Sequence, residues 1–558
     1  MSFEDATRRL NSANVSELWA LSSALSLIEY YGAEKLGLFP ALTFETPRLL
    51  SWAIMESRAS DERHRALRAI DLSYVINNVQ AEGLSDPRLE EEVLSGRPRE
   101  EMNYNATQIL SRWGGFQLAP QEFAPRSAMA RSLGLFEVLP SRPHLFSEDR
   151  RDLVINAVTQ IKECLGGPVL DLAGCFMLVL LWHRRQGVWF VDRTRQVLSK
   201  YRPAQLSKRS RGHRFSFVLE ALLSDIGGLA QACTFTVEDL GSADEVGVSH
   251  AQMRRFLSLF AADTRHLRSL LATGPFRAGS SLWKLNPLQR HPIVALPDHR
   301  FVVPVFRLYL ASFEPVLDYT LVEHRLPHYN EFRGAVFEKH LQDALTKMLP
   351  GALVVPERTY KRGRQEVKGP DVMVVSGGDP LVLIEAKSRR IGPAARTSTD
   401  RRYLDQNLED AFAAIARLKE KLEDLRRGLP EYEDIQPELD RSLLTEPIFV
   451  CILPETIPFI TELVRYPAAR EASHPLHGLP GPFCIISIEK LERILALIAQ
   501  KKSSLAGELL AFWARACSSE LSAPSSDHIG DEGASEDEVY SMRYLRPTSS
   551  PLGNAPDS

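Results

Sequence analysis

The sequence predicts an α/β protein in which a mixed sheet flanked by helices follows a mainly helical N-terminal region. Two apolar runs, VMVV and LVLIEA, flank a glycine- and proline-containing turn at residues 377–380 and predict a β-hairpin. Segments such as SELWALSSALSLIEYY carry the apolar spacing of helices. Apolar runs at residues 447–453 and 483–487 each precede a helical pattern, and this alternation is typical of α/β folds.

The composition is that of an ordinary globular chain long enough for roughly three domains. Residues 1–285 are predicted to be mainly α-helical, with breaks near residues 96–99 and 141–143 that allow two subdomains. Residues 286–330 are predicted to form a short β-hairpin that bridges to an α/β domain at residues 331–517. Residues 518–558 are rich in Ser, Pro, Gly and acids, which predicts a disordered acidic tail.

Within residues 331–517 the elements follow a mixed order. The helical segment EFRGAVFEKHLQDALTKML comes first, then a strand at 353–360, then the two hairpin strands, which together make a three-stranded antiparallel run. Two later strands complete a sheet of about five. A long helix follows the hairpin, with a seam predicted to pack on the sheet rather than to form a coiled-coil dimer. The seam consists of Leu404, Leu408, Ala411, Ile415, Leu418, Leu422 and Leu425.

Charged residues gather at one end of the predicted hairpin. Asp371 opens its first strand, while Glu385 and Lys387 lie two residues apart near the end of the second. Alternate residues of a strand face the same side, so Glu385 and Lys387 project together, and the hairpin can bring Asp371 beside them. Two carboxylates at the end of an apolar sheet are costly without partners, and a divalent cation would remove that cost. The alternative is an ordinary ion pair on a solvated face.

The pattern resembles the PD-(D/E)xK nuclease superfamily over about residues 325–515. The matching residues are Pro370-Asp371 and Glu385-Ala386-Lys387. The resemblance implies a restriction-endonuclease-like fold and a further acidic residue on the preceding helix. Glu338 is the candidate, because it shares a helical stripe with Leu341 and Leu345. The neighbouring acids Glu331 and Glu357 are competitors for that role.

The resemblance also implies the chemistry, a metal-dependent endonuclease that hydrolyses phosphodiester bonds of nucleic acid, with DNA as the favoured substrate. Its catalytic residues would be Asp371, Glu385, Lys387 and Glu338. The metal ligands would be Asp371, Glu385, Glu338 and the carbonyl of Ala386. Such hard oxygen ligands suit Mg²⁺ or Mn²⁺ rather than zinc. Lys387 would orient the attacking water or stabilise charge in the transition state.

Basic residues on both sides of the hairpin are candidates for binding a nucleic-acid backbone. They are Lys361, Arg362, Arg364 and Lys368 before Asp371, and Arg389, Arg390, Arg401 and Arg402 after Lys387. Tyr360 and Tyr403 are the nearby aromatic side chains on which a base could stack. A second basic stretch, residues 193–214, either follows a phosphate backbone or is a solvated loop.

Two other functions stay open. The chain could be a non-catalytic nucleic-acid- or protein-binding module with a nuclease-like fold, or an interaction scaffold built on its helices. The helical region is the candidate surface for a protein partner. The net charge of −4 excludes a global basic field, and the six cysteines show no metal-ligand spacing. Buried free thiols, the lack of a signal-like N-terminus and the lack of a membrane-length apolar run predict a cytoplasmic protein.

Overall fold

The computed structural model describes most of the chain. The described residues are 3–32, 45–62, 125–199, 211–240, 248–273, 286–390, 401–443, 446–455, 472–501 and 503–518, with the single positions 36, 75, 464 and 468. The predicted tail, apart from its first residue, and residues 200–210 of the second basic stretch lie outside them.

The described α-helices are numbered along the chain. They are α1 (Phe3–Leu10), α2 (Val15–Gly32), α3 (Glu45–Glu56), α4 (Pro125–Leu133), α5 (Glu148–Leu165), α6 (Val169–Ser199), α7 (Arg211–Leu223), α8 (Ile226–Cys233), α9 (His250–Phe260), α10 (Thr264–Ala272), α11 (Phe306–Leu310), α12 (Phe313–Glu323), α13 (Tyr329–Met348), α14 (Arg401–Arg426), α15 (Gln436–Leu443), α16 (Ile488–Lys501) and α17 (Leu505–Ser518).

The described strands fall into three sheets. They are β1 (Thr234–Phe235), β2 (Ala261–Asp263), β3 (Ile293–Ala295), β4 (Phe301–Val302), β5 (Leu353–Pro356), β6 (Thr359–Arg362), β7 (Gln365–Lys368), β8 (Val372–Val375), β9 (Val382–Ala386), β10 (Ile448–Leu453) and β11 (Phe483–Ser487). The predicted α/β class is confirmed.

The chain divides into two compact units whose limits differ from the sequence-based boundaries. The first contains residues 1–98, 159–326 and 393–399, and the second contains residues 99–158, 327–392 and 400–558. The difference arises from contacts between residues distant in sequence, which local patterns do not register.

In the first unit, α2 is buried on nearly every side because its residues are almost all apolar or small, and it packs against α3, α6 and α8. The predicted hairpin near residue 298 is present as β3 and β4. It is not a separate bridge, because β4 also pairs with β1 and β3 with β2. These pairings build a four-stranded sheet in which β1 and β2 come from the region predicted to be helical and β3 and β4 from the predicted hairpin.

The second unit is built on a five-stranded mixed sheet of order β11-β10-β9-β8-β5. The predicted antiparallel run is confirmed in β5, β8 and β9, while β9, β10 and β11 are parallel. Every residue of β9 and β10 is buried, as expected for strands covered on both faces. Helix α14 packs on β9 and β10, which confirms the predicted role of its apolar seam.

One predicted strand is wrong. The segment 353–360 is not continuous but divides into β5 and the start of β6, and β6 pairs with β7 in a separate two-stranded sheet. Pro356 ends β5, since proline has no N–H to donate to a ladder.

The described helices differ in length and in apolar content. None is by itself long and apolar enough to cross a bilayer. The consecutive helices Glu148–Leu165 and Val169–Gln196 satisfy length and composition only as a bent pair.

Candidate active site

The β8–β9 hairpin brings the predicted site residues together. Its register pairs Val372 with Ile384 and Met373 with Leu383, so Asp371 lies opposite Glu385 at the open end of the hairpin. Asp371 is 9 % exposed and Glu385 is 3 % exposed. The apolar strands thus hold two carboxylates in a place from which water is largely excluded.

Asp371 is hydrogen-bonded through both its backbone and its side chain, and its carbonyl oxygen accepts from the backbone N–H of Glu357 at 3.0 Å. Its Oδ2 accepts a hydrogen bond from the backbone N–H of Ala386 at 2.7 Å. Burial, the largest cause, acts together with the negative charges of Glu385 and Glu338 to raise the pKa of Asp371 from 3.8 to about 7. The three predicted carboxylates are therefore near enough to repel one another.

Glu385 is held between two ammonium groups. Lys387 Nζ lies 3.4 Å from Glu385 Oε2, so the two members of the predicted pair do face the same side. Glu385 Oε1 accepts a hydrogen bond from Lys421, a residue of α14 that the sequence analysis missed. Lys421 Nζ also donates to the carbonyl of Gly369 at 2.7 Å. A buried lysine therefore ties the second strand of the hairpin to the turn that precedes the first.

That turn requires a glycine. A Cβ at position 369 would lie 2.2 Å from the hydroxyl of Tyr432 and 3.0 Å from the carbonyl oxygen of Arg358. The backbone N–H of Gly369 donates to that same carbonyl at 2.8 Å. The close approach fixes the chain directly before Pro370 and Asp371, and so helps to position the Asp371 carboxylate.

Glu338 is supplied by α13 and is the acid that the structure favours over its competitors. Its charge acts on Asp371, whereas Glu331 pairs with His328 at 3.1 Å and Glu357 pairs with Lys368 at 3.0 Å. The partner of Glu338 is Arg150 of α5, whose Nη1 lies 2.5 Å from Glu338 Oε2.

Another buried carboxylate, that of Asp424 on α14, binds two side chains of the neighbouring β6–β7 hairpin. Asp424 Oδ2 accepts a hydrogen bond from the hydroxyl of Tyr360 at 2.7 Å and from the Nε of Arg362 at 2.8 Å. Tyr360 is 2 % exposed, so the prediction that it offers a stacking surface is wrong. The tyrosine is buried because its hydroxyl finds a carboxylate inside the unit. The side chain of Tyr403 lies outside the described residues.

Several of the predicted backbone-binding residues have acidic partners. Arg362 pairs with Asp424, Lys368 pairs with Glu357, and Arg390 lies 3.6 Å from Glu455. Of the other predicted backbone-binding residues, some are exposed and some have side chains that lie outside the described residues. Lys361 and Arg364 are exposed on the β6–β7 hairpin, Arg389 is 82 % exposed and 3.8 Å from Asp410, and the side chains of Arg401 and Arg402 lie outside the described residues. The acids reduce the positive charge that the sequence suggested.

A cleft opens beside Lys387 at the carboxyl ends of β9 and β10. Its lining includes Arg389, Asp410 and Glu455. In sheets with parallel strands this edge is the usual place for a ligand. The cleft therefore gives solvent a route to the Lys387 side of the site.

The predicted cation is Mg²⁺ or Mn²⁺. Three carboxylates supply the hard oxygen atoms that these ions prefer, and the raised pKa of Asp371 marks negative charge that a cation would stabilise. The donor chemistry therefore fits. Within the described residues, however, no group of three or more His, Cys, Asp or Glu side chains is arranged to hold a metal ion. The metal stays a prediction.

Comparisons of the chain with protein families, with curated proteins and with solved structures gave no match. A functional conclusion therefore has to come from the chemistry of the site.

Proposed function

We propose that the chain is a metal-dependent nuclease that hydrolyses phosphodiester bonds, with DNA as the favoured substrate and internal cleavage as the favoured mode. The proposal includes a restriction-endonuclease-like arrangement of the second unit, similar to that of PD-(D/E)xK nucleases. The observation that carries it is the register that sets Asp371 opposite Glu385, with Lys387 on the same side. A salt bridge between Glu385 and Lys387 would not by itself require Asp371 as a second buried carboxylate.

Each residue of the site has a role in this proposal. Asp371 and Glu385, with the carbonyl of Ala386 and with Glu338, would hold Mg²⁺ or Mn²⁺. The bound cation would lower the pKa of water and neutralise charge on the phosphate. Lys387 would donate a hydrogen bond to the phosphate oxygens as charge develops. Attack of water on phosphorus forms one P–O bond and breaks another, which leaves a phosphomonoester and an alcohol.

The proposal includes a cytoplasmic location. The described cysteines are free, and four of them are buried, at positions 175, 233, 451 and 484. Burial raises the pKa of Cys175 and Cys451 to about 12, which keeps these thiols protonated and unreactive. Reduced, buried thiols are what a cytoplasmic protein is expected to contain.

The test is a cleavage panel of linear, circular and single-stranded DNA and of RNA, with Mg²⁺ or Mn²⁺ and with EDTA. We expect metal-dependent cleavage that Asp371→Asn and Lys387→Ala each reduce by at least about a hundredfold. Asp379→Asn is the matched control, because Asp379 lies in the turn at the opposite end of the same hairpin. Equal cleavage by the parent, Asp371→Asn and Lys387→Ala would refute the assignment.

A non-catalytic nucleic-acid-binding module is the second candidate. It is favoured by the ion pairs that Lys421 and Arg150 make with Glu385 and Glu338, because these cations already balance two of the carboxylates. Thermal unfolding with and without Mn²⁺ separates the two candidates, since a ligand that binds only the folded state raises the melting temperature. Nucleic-acid binding without such a shift would favour the module.

A further inference from the structure

Arg150 comes from a part of the chain that precedes the predicted α/β domain by more than a hundred residues, yet it lies at the candidate site. It belongs to the second unit, and its guanidinium pairs with Glu338. Burial opposes the charge of Arg150, but the hydrogen bond to Glu338 and the charges of Glu338, Glu357 and Asp149 together raise its pKa. The guanidinium is therefore surrounded by acids at the edge of the carboxylate cluster.

The three cations of the site differ in how firmly they are held. Lys421 is buried, with an 11 % exposed side chain, and it is anchored to a backbone carbonyl as well as to Glu385. The side chains of Lys387 and Arg150 are 26 % and 27 % exposed, and each contacts one carboxylate among the residues that the structure describes. Lys421 is thus a fixed part of the interior, whereas Arg150 can change partner without leaving or entering the core.

A guanidinium is well suited to such a change. It carries five N–H donors in a planar fork that matches a phosphate in two-point contact, and it stays charged at all relevant pH values. Glu338 uses one of these donors among the described residues. The others remain for a second acceptor.

The geometry points to Arg150 as a residue that binds the substrate phosphodiester and that exchanges Glu338 for this phosphate when a divalent cation takes up Glu338. The inference rests on the proposed function and adds a substrate contact to it. Cation and nucleic acid would then bind cooperatively, because the cation draws Glu338 away from Arg150 and the phosphate draws Arg150 away from Glu338.

Binding rather than cleavage provides the test. The anisotropy of a short fluorescein-labelled DNA duplex is titrated with the full chain in EDTA and in Ca²⁺, over a series of salt concentrations. Arg150→Gln should weaken binding in Ca²⁺ by about tenfold and reduce the slope of log affinity against log salt by about one. Arg151→Gln is the matched control, because Arg151 is the exposed neighbour on the same helix. It should bind like the parent.

The exchange itself is tested without metal. Glu338→Gln should release Arg150, so in EDTA this variant should bind the duplex severalfold more tightly than the parent does. The double variant Arg150→Gln/Glu338→Gln should lose this gain. If the gain persists in the double variant, general loss of negative charge explains it and the exchange is overturned.

The possible failures are distinguishable. A parent that binds no nucleic acid in EDTA or in Ca²⁺ removes the proposed function together with this inference. A parent that binds and cuts, beside an Arg150→Gln variant with an unchanged salt slope, overturns the role of Arg150 alone. If Arg150→Gln does not fold, Arg150→Lys provides a different comparison, because it keeps the charge and loses the two-point contact. It should keep the salt slope of the parent and bind less tightly, and binding as tight as that of the parent would overturn the role of Arg150.

Discussion

Replacing Asp371 by Asn should stabilise the second unit at neutral and alkaline pH. The pKa of Asp371 is raised to about 7 in the folded state from 3.8. Below pH 3.8 the carboxyl is protonated in both states. Between pH 3.8 and 7 the folded state keeps a proton that the unfolded state has released, so stability falls as pH rises and the full cost is present above pH 7. A shift of this size corresponds to an upper limit of about 4 kcal/mol.

The substitution leaves the main contact of the carboxylate in place. The amide oxygen of Asn can accept the hydrogen bond from the N–H of Ala386 that Asp371 Oδ2 now accepts. What disappears is the buried negative charge beside Glu385 and Glu338. We therefore expect Asp371→Asn to raise the free energy of unfolding by about 2–4 kcal/mol at pH 8 and by much less at pH 4. A gain in stability at the cost of activity is typical of functional sites.

Calorimetry of the metal-free protein in EDTA between pH 4 and pH 8 measures this difference. For a unit of this size, each kcal/mol shifts the melting temperature by about 2–4 °C. Asp379→Asn controls for the chemistry of the substitution, and it should show no such pH-dependent gain. An Asp371→Asn variant whose gain in stability over the parent is the same at pH 4 and pH 8, or which is less stable than the parent at pH 8, would refute the burial argument.

Three further predictions concern buried polar groups. Lys421→Met should destabilise the second unit by about 3–5 kcal/mol in urea unfolding, because Glu385 would lose its buried partner, whereas exposed Lys419→Met should cost little. His183 is fully buried, and burial lowers its pKa to about 3. Below about pH 6.5 the imidazole is protonated in the unfolded state but stays neutral in the folded state, so the stability of the parent should fall by up to about 1.4 kcal/mol per pH unit towards pH 3. In thermal unfolding, the stability of His183→Leu should depend less steeply on pH than that of the parent. Tyr360→Phe should lower the free energy of unfolding by about 1–3 kcal/mol in thermal unfolding, since the buried carboxylate of Asp424 loses a hydrogen-bond donor. An unchanged stability would mean that water replaces the hydroxyl.

The hairpin that carries the candidate site could be predicted because its determinants are local. The strand runs around Gly377 and Gly378 define one turn, and strand alternation then puts Glu385 and Lys387 on one side. The observed register agrees with these signals. The seam of α14 was likewise predictable, because a periodic apolar stripe must find an apolar surface, and the sheet supplies it.

Lys421 could not be assigned from sequence, although a faint signal is present. It lies beside Leu418, Leu422 and Leu425 of the seam, at the margin where a lysine normally extends its amine to water. Here the amine turns inward, because Glu385 and the carbonyl of Gly369 offer it two acceptors. Only the packing of α14 on β9 makes these acceptors available.

The second unit also includes chain that no local pattern would assign to it. Arg131 of α4 forms a buried ion pair with Glu492 of α16 at 2.7 Å, and His340 of α13 lies 3.3 Å from the same carboxylate. Arg150 makes the corresponding contact with α13 at the candidate site. A fragment that begins at residue 331 would leave both carboxylates without their guanidinium partners, and for the buried one this is strongly unfavourable. Residues 125–158 are therefore part of the folded unit that builds the site, and experiments on the proposed nuclease require the full chain.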